Sequence, residues 1–173
     1  MVFEMSEDRQ ENNYTVSCAN CGKETLAVKE LYSVIPRFGH VVMISMLCSN
    51  CGYRIFDTIN LEDKGPIKVE YKVNGEKDLF ARVIRSSTSM VTIPELGLEL
   101  KPGSKSDAFI TNIEGMLDRF LAIAEQLSHD DDQGVNQEAQ AAIIKIKRAM
   151  GGDLPFTIII EDEYGNSGII PPE

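Results

Sequence analysis

Two pentapeptides, Cys18-Ala19-Asn20-Cys21-Gly22 and Cys48-Ser49-Asn50-Cys51-Gly52, repeat the pattern C-x-N-C-G and hold all four cysteines of a 173-residue chain. No other feature limits the fold as strongly. A C-x-x-C turn brings two sulfurs together while the following backbone amides point back toward them. Glycine after the second cysteine supplies the positive φ and close approach that such a turn needs. Each pentapeptide has the form of a zinc knuckle. Two of them offer four soft thiolates, the donor set of a closed tetrahedral zinc site with Zn–S distances of about 2.3 Å. The segment between them has room for a strand, a turn and a returning strand, which is the layout of a zinc ribbon.

Two other readings of the thiols fit less well. A thioredoxin-like dithiol usually opens a helix after a strand, whereas both pairs here adjoin β-type runs such as HVVMISML and YRIFDTINL. Unrelated core cysteines would not be expected to repeat C-x-N-C-G. The preferred reading is one structural Zn²⁺ on Cys18, Cys21, Cys48 and Cys51. Four thiolates fill the shell, so no position is left to polarise a substrate or activate water. A binding energy on the order of 10 kcal/mol near neutral pH substitutes for the core that so small a unit cannot build. His40, between the pairs, reads as a surface or turn residue because the shell is already complete.

Charge narrows the function classes. The formal net charge is -10 and the pI about 4.7, so the molecule as a whole repels phosphate backbones, and bulk nucleic-acid binding is disfavoured. The start, MVFEMSEDRQENN, is acidic and has no basic segment leading into an apolar run, so a secretory signal is not expected. No stretch approaches the roughly 18 to 20 apolar residues of a membrane span. The expectation is a soluble, cytoplasmic protein, in a compartment where stable disulfides are rare.

Beyond the second knuckle the pattern alternates. PIKVEYKV sets Ile67, Val69, Tyr71 and Val73 against Lys68, Glu70 and Lys72, the period of a strand with one wet face. Asn74-Gly75 then signals a turn, and DLFARVIRS and SMVTIPELGLEL continue as β-type segments, with Pro94 and Gly97 implying an edge, bend or bulge. Thr111-Asn112-Ile113-Glu114 has the spacing of a capping box. From Ile113 an apolar stripe runs through Met116, Leu117, Phe120, Leu121, Ala124 and Leu127. SHDDDQG interrupts it as a solvated loop, and Ala139, Ala142, Ile143, Ile146 and Met150 mark a second helix ending at Gly151-Gly152. FTIIIEDEYGNSGII reads as a final hairpin turning at Tyr164-Gly165-Asn166, and Glu161-Asp162-Glu163 as a solvated rim. The common phosphate cradles and the hydrolase elbow are absent from the sequence.

Four blocks in order, IPRFGHVVMISMLCSNCGYR, SSTSMVTIPELGLEL, TNIEGM and PFTIIIEDEYGNSGII, resemble the ZPR-type zinc-finger proteins over roughly residues 15 to 170. The resemblance implies a four-cysteine finger joined to a β-sandwich resembling a double-stranded β-helix that carries a helical hairpin. Matched residue by residue, Cys18, Cys21, Cys48 and Cys51 are the zinc ligands, Ile93, Pro94, Glu95 and Leu96 the sandwich block, and Asp162, Gly165, Asn166 and Ser167 the terminal turn. No catalytic residue carries over. Eukaryotic members look like adaptors and folding helpers for translation elongation factor 1-alpha, built of two finger-plus-sandwich units, whereas this chain has room for one and looks like the single-unit form found in archaea.

The expected architecture is α+β, mainly β. It comprises a flexible segment at 1–13, a zinc ribbon at 14–60, and a β-sandwich at 61–173 with a helical hairpin at about 111–150. The expected function is that of a non-enzymatic zinc-binding adaptor or chaperone whose partner is elongation factor 1-alpha, with weak association of two copies also allowed. Arg37, Phe38, Tyr53, Arg54, Asp162 and Asn166 are its candidate partner-binding residues. Two alternatives are a nucleic-acid-binding ribbon of the transcription or translation machinery and a sandwich binding a small ligand in its interior.

Overall fold

A computed structural model of the chain describes residues 10–103 and 106–173. The N-terminal part is a four-stranded antiparallel sheet of β1 (Gln10–Val16), β2 (Leu26–Ile35), β3 (Gly39–Cys48) and β4 (Arg54–Asn60), ordered as in the chain. The two knuckles occupy the β1–β2 and β3–β4 connections. Leu26 lies opposite Cys48, and Leu47 opposite Arg54, so the register brings both turns to the same end of the sheet. Residues 10–13, expected to be flexible, are strand: Gln10 pairs with Tyr32 and Asn13 with Lys29. Residues 1–9 lie outside those described.

The remainder is two sheets over one core. One runs β5 (Ile67–Val73), β10 (Phe156–Asp162), β7 (Met90–Ile93) and β8 (Leu98–Leu100). The other runs β11 (Gly168–Ile170), β6 (Arg82–Arg85) and β9 (Phe109–Asn112). Between β9 and β10 the chain forms α1 (Ile113–Leu127) and α2 (Gln133–Met150). The space between the layers is filled by apolar side chains, among them Val83, Val91, Ile93, Met116, Ile158 and Ile160. A ligand cavity inside the sandwich would need that space.

Local chemistry explains where the elements begin and end. In β10, Phe156, Ile158, Ile160 and Asp162 all point inward with the period of two. The helix start lies one residue beyond the expected cap: Asn112, not Thr111, accepts from the Gly115 amide at 2.8 Å. The solvated loop is correspondingly shorter, because Asp132 caps α2 through the amides of Gly134 and Val135. DLFARVIRS, read as a continuous β segment, opens with a 3₁₀ turn at Glu76–Phe80 and becomes strand only from Arg82. Pro94 and Gly97 build the tight turn that pairs Ile93 with Leu98. The expected C-terminal hairpin does not form: β10 pairs with β5 and β7, while β11 pairs with β6 in the other sheet. No helix among the described residues is long and apolar enough to cross a membrane.

Candidate metal centre

Each knuckle closes by the same hydrogen bonds. The Gly22 amide donates to the Cys18 carbonyl at 2.8 Å and the Gly52 amide to the Cys48 carbonyl at 3.0 Å. Both glycines sit at φ 72°, a conformation costly for a residue with a side chain. The Cys18 amide donates to the Lys23 carbonyl and the Cys48 amide to the Tyr53 carbonyl, both at 2.8 Å. The repetition seen in the sequence is therefore a repetition of backbone geometry.

The four sulfurs lie within 4.8 Å of one another. Cys18 and Cys51 are 3.8 Å apart and Cys21 and Cys48 3.7 Å apart, each pair drawn from opposite knuckles. A tetrahedron with Zn–S bonds of about 2.3 Å has edges of about 3.8 Å. The sulfur spacing thus matches one zinc ion. Asn20 donates to Cys51 Sγ at 3.5 Å, and Lys23 Nζ reaches Asn50 Oδ1 at 2.9 Å, so each knuckle also grips the other without the metal.

The thiols differ in their ease of ionisation. The Thr25 hydroxyl, 3.2 Å from Cys48 Sγ, is the main influence bringing that thiol down to about 6, with the amides of Cys51 and Asn50 assisting. Cys21 is lowered as well, first by the Lys23 amide. Burial pushes Cys18 up to about 11 against the amides of Cys21 and Asn20. Cys48 is thus the thiol most readily offered to a cation as thiolate, and a metal held by all four sulfurs would require the proton of Cys18 to leave. Bound there, zinc supplies four strong bonds that cross-link the β1–β2 and β3–β4 turns. His40 stands apart, exposed, with Nδ1 3.3 Å from Glu62 Oε1.

The other candidate residues divide between surface and interior. Tyr53 packs on the small cluster of Cys18, Leu26 and Cys48, and Arg54 is exposed. Phe38 is only 7% exposed; with Ile35 and Val41 it packs against Ile84 of β6, so its ring joins finger to sandwich and is not a free contact. Arg37, at φ 65° in the β2–β3 turn, donates to the Pro171 carbonyl at 3.0 Å. Asp162 is 2% exposed and cannot meet a partner. Its carboxylate accepts from the hydroxyls of Ser86 (2.8 Å), Thr88 (3.0 Å) and Ser167 (2.6 Å) and from the amides of Tyr164 and Asn166 (both 3.1 Å). Burial raises this carboxyl, but these hydrogen bonds, Ser167 and Ser86 foremost, outweigh it and hold it below the ordinary carboxylate value. Asn166 Oδ1 accepts from the Asn60 amide at 2.9 Å, a second tie from sandwich to finger.

Several residues of this seam were not singled out by sequence reasoning. Asp57 of β4 accepts from both the amide and the hydroxyl of Ser87. Lys64 donates to the Phe38 carbonyl and lies 4.5 Å over its ring. The run Ser86-Ser87-Thr88-Ser89, one residue beyond the apolar Val83-Ile84, was the available signal, since hydroxyls beside a buried strand need acceptors.

Comparison with known proteins fits both halves. The ZPR1 zinc-finger domain matches residues 12–57, and the ZPR1 jelly-roll domain matches residues 77–173. The chain belongs to the ZPR1 family. A ZPR1-like protein of Pyrococcus horikoshii is 37% identical over 158 residues, covering 88% of this chain and 71% of that protein. A ZPR1-like protein of Methanocaldococcus jannaschii is 36% identical, covering 92% and 82%. The zinc finger chaperone zpr1 of Schizosaccharomyces pombe is 33% identical over 95% of this chain, which spans only 37% of that longer protein. In ZPR1 terms, the sheet β1–β4 carries the four-cysteine finger, and the two sheets over one core are the jelly roll.

Proposed function

We propose that this ZPR1 protein is a non-enzymatic, zinc-braced adaptor or chaperone of the cytoplasm whose client is elongation factor 1-alpha or a folding form of it. The observation that carries the reading is the sulfur tetrahedron. Zinc bound among the four sulfurs would have all its positions filled by thiolates of the chain, a donor set that braces a surface and leaves no site for substrate. The chaperone name of the fission yeast relative points the same way. The seam through Phe38, Asp57 and Asn60 supports it too, since a finger held firmly on a jelly roll presents a preorganised face and orders little on binding. Tyr53 and Arg54, directly after the second knuckle, belong to that face, while Arg37 and Asn166 tie the far end of the finger to the jelly roll.

The test is capture of elongation factor 1-alpha from reducing cytosol by the zinc-loaded chain, with refolding of the denatured factor as a second readout. Capture should weaken about tenfold for Arg54→Glu, in the range of a lost charge pair at a contact surface. A zinc-loaded chain that neither captures the factor nor changes its refolding yield would overturn the proposal.

A further inference from the structure

We infer that the trough between the finger sheet and the β9–α1 edge of the jelly roll is the docking site for an extended, acidic segment of a partner protein that also carries apolar side chains. The inference rests on the binding reading above and assigns it a surface and a ligand chemistry.

The trough is formed by both halves of the molecule. A cavity of about 700 Å³ lies between Met43, Leu47, Arg54 and Phe56 of the finger and Ile110 and Arg119 of the jelly roll. A second of about 440 Å³ continues past Arg119 along Lys101 and Ile123. The two adjoin at Asp107, Phe109 and Arg119, which line both. Its ends are apolar and open: Leu47 is 57% exposed and Ile123 49%. Patches of this kind, large and shared between two packed units, mark places where another chain is received.

Its charge is opposite to that of the molecule. Arg54, Arg85, Lys101 and Arg119 line the path, Lys101 with Glu99 3.8 Å from its Nζ, and Asp107 is the one carboxylate among the described lining residues, in a chain whose formal charge is -10. Arg54 and Arg119 are exposed, and neither forms an ion pair with a described residue. Arg119 lies 4.9 Å over the Phe109 ring. Beneath the same ring, 5.9 Å away, is Arg85, which is 1% exposed. Arg85 is held by neutral oxygens: the carbonyls of Asp107, Ser89 and Lys101 and the Ser106 hydroxyl. Its Nε has no hydrogen-bond partner among the described residues. Its direct acceptors are neutral, and the carboxylates of Asp57, Asp107 and Asp162 act on it only through space, so part of its positive field reaches the trough through the low-dielectric wall around it. A basic path on an acidic molecule selects carboxylates, and its apolar ends select a segment that alternates them with hydrophobic side chains.

The flanking strands favour an extended ligand. Among the described residues β4 is the outermost strand of the finger sheet and β9 the outermost strand of its jelly-roll sheet, so each has an edge that no described strand pairs. Unpaired edges of this kind add a strand readily.

The test uses the zinc-loaded full chain and three labelled probes followed by fluorescence anisotropy: a glutamate–leucine peptide, its lysine–leucine counterpart, and a single-stranded oligonucleotide of equal length. The acidic peptide should bind at least about tenfold more tightly than either control and weaken with added salt. Binding should fall about tenfold or more in Arg54→Glu/Arg119→Glu, both exposed positions, and methyl resonances of Leu47, Ile110 and Ile123 should shift on titration. Equal binding of the two peptides, tighter binding of the oligonucleotide, or an undiminished affinity in a charge-reversed chain with native circular dichroism would overturn the inference. Undiminished capture of the elongation factor by that variant would detach the trough from client binding and leave the adaptor reading standing. Acidic-peptide binding without capture of the factor would remove that client and leave the trough.

Discussion

Asp162 shows how one buried carboxylate can organise a seam. It accepts five hydrogen bonds from Ser86, Thr88, Tyr164, Asn166 and Ser167. Asp162→Asn keeps the shape but removes the charge and turns an amide donor toward hydroxyls, at an expected cost of about 3 kcal/mol in urea unfolding. Because the folded carboxyl is held below its unfolded value of about 3.9, its stabilisation is complete above that pH and is lost as pH falls through the lower, folded value. The wild-type chain should therefore lose stability in acid more steeply than Asp162→Asn, which unfolding midpoints between about pH 5 and pH 2 would show. The residue was legible in part. Its two neighbours, Glu161 and Glu163, are the exposed rim that a charged run implies, but the unbroken Ile158-Ile159-Ile160 run hides the period of two, so Asp162 was read as part of that rim and only the folded strand shows it on the inner face.

Local signals located the elements, and pairing decided their ends. Thr111 and Asn112 are both able to cap a helix, yet the ladder with β6 runs through Thr111, opposite Val83, to Asn112, opposite Arg82, so the first helical residue is Ile113 and the cap passes to Asn112. The same competition explains the missing C-terminal hairpin. Both edges of β10 are taken by β5 and β7, and the turn held by Asp162 sends β11 to β6 instead. There Gly168 meets the finger: a Cβ at this position would lie 2.8 Å from the Phe38 ring. Gly168→Ala should cost about 1 to 3 kcal/mol through overpacking. Adding Phe38→Leu should recover part of it, so a double-mutant cycle in urea should show coupling of at least about 0.5 kcal/mol. Strict additivity would mean that the seam relaxes without strain.

At the scale of the molecule, finger and jelly roll share a hydrophobic cluster of Ile35, Phe38, Val41 and Ile84, as well as the polar ties of Asp57 and Asn60. They should unfold as one. In a cobalt-substituted chain, thiolate charge-transfer absorbance reports the finger, and far-UV helicity reports α1 and α2 of the jelly roll. The two should lose signal at one midpoint, and a chelator should lower that midpoint for both, because metal binding to the folded state alone stabilises whatever folds with it. Two separated transitions would show that the seam does not couple the halves. The sequence by itself determined the four-cysteine centre, both helices and most of the strands, because knuckle turns, caps and hydrophobic periods are written in residues close together in the chain. Only the tertiary structure decided that Phe38 and Asp162 face inward, that β10 and β11 part company, and that Arg54 and Arg119 look into one trough. Each of these depends on which distant segment occupies a neighbouring edge or face, and side chains compete for such places in space and not along the chain.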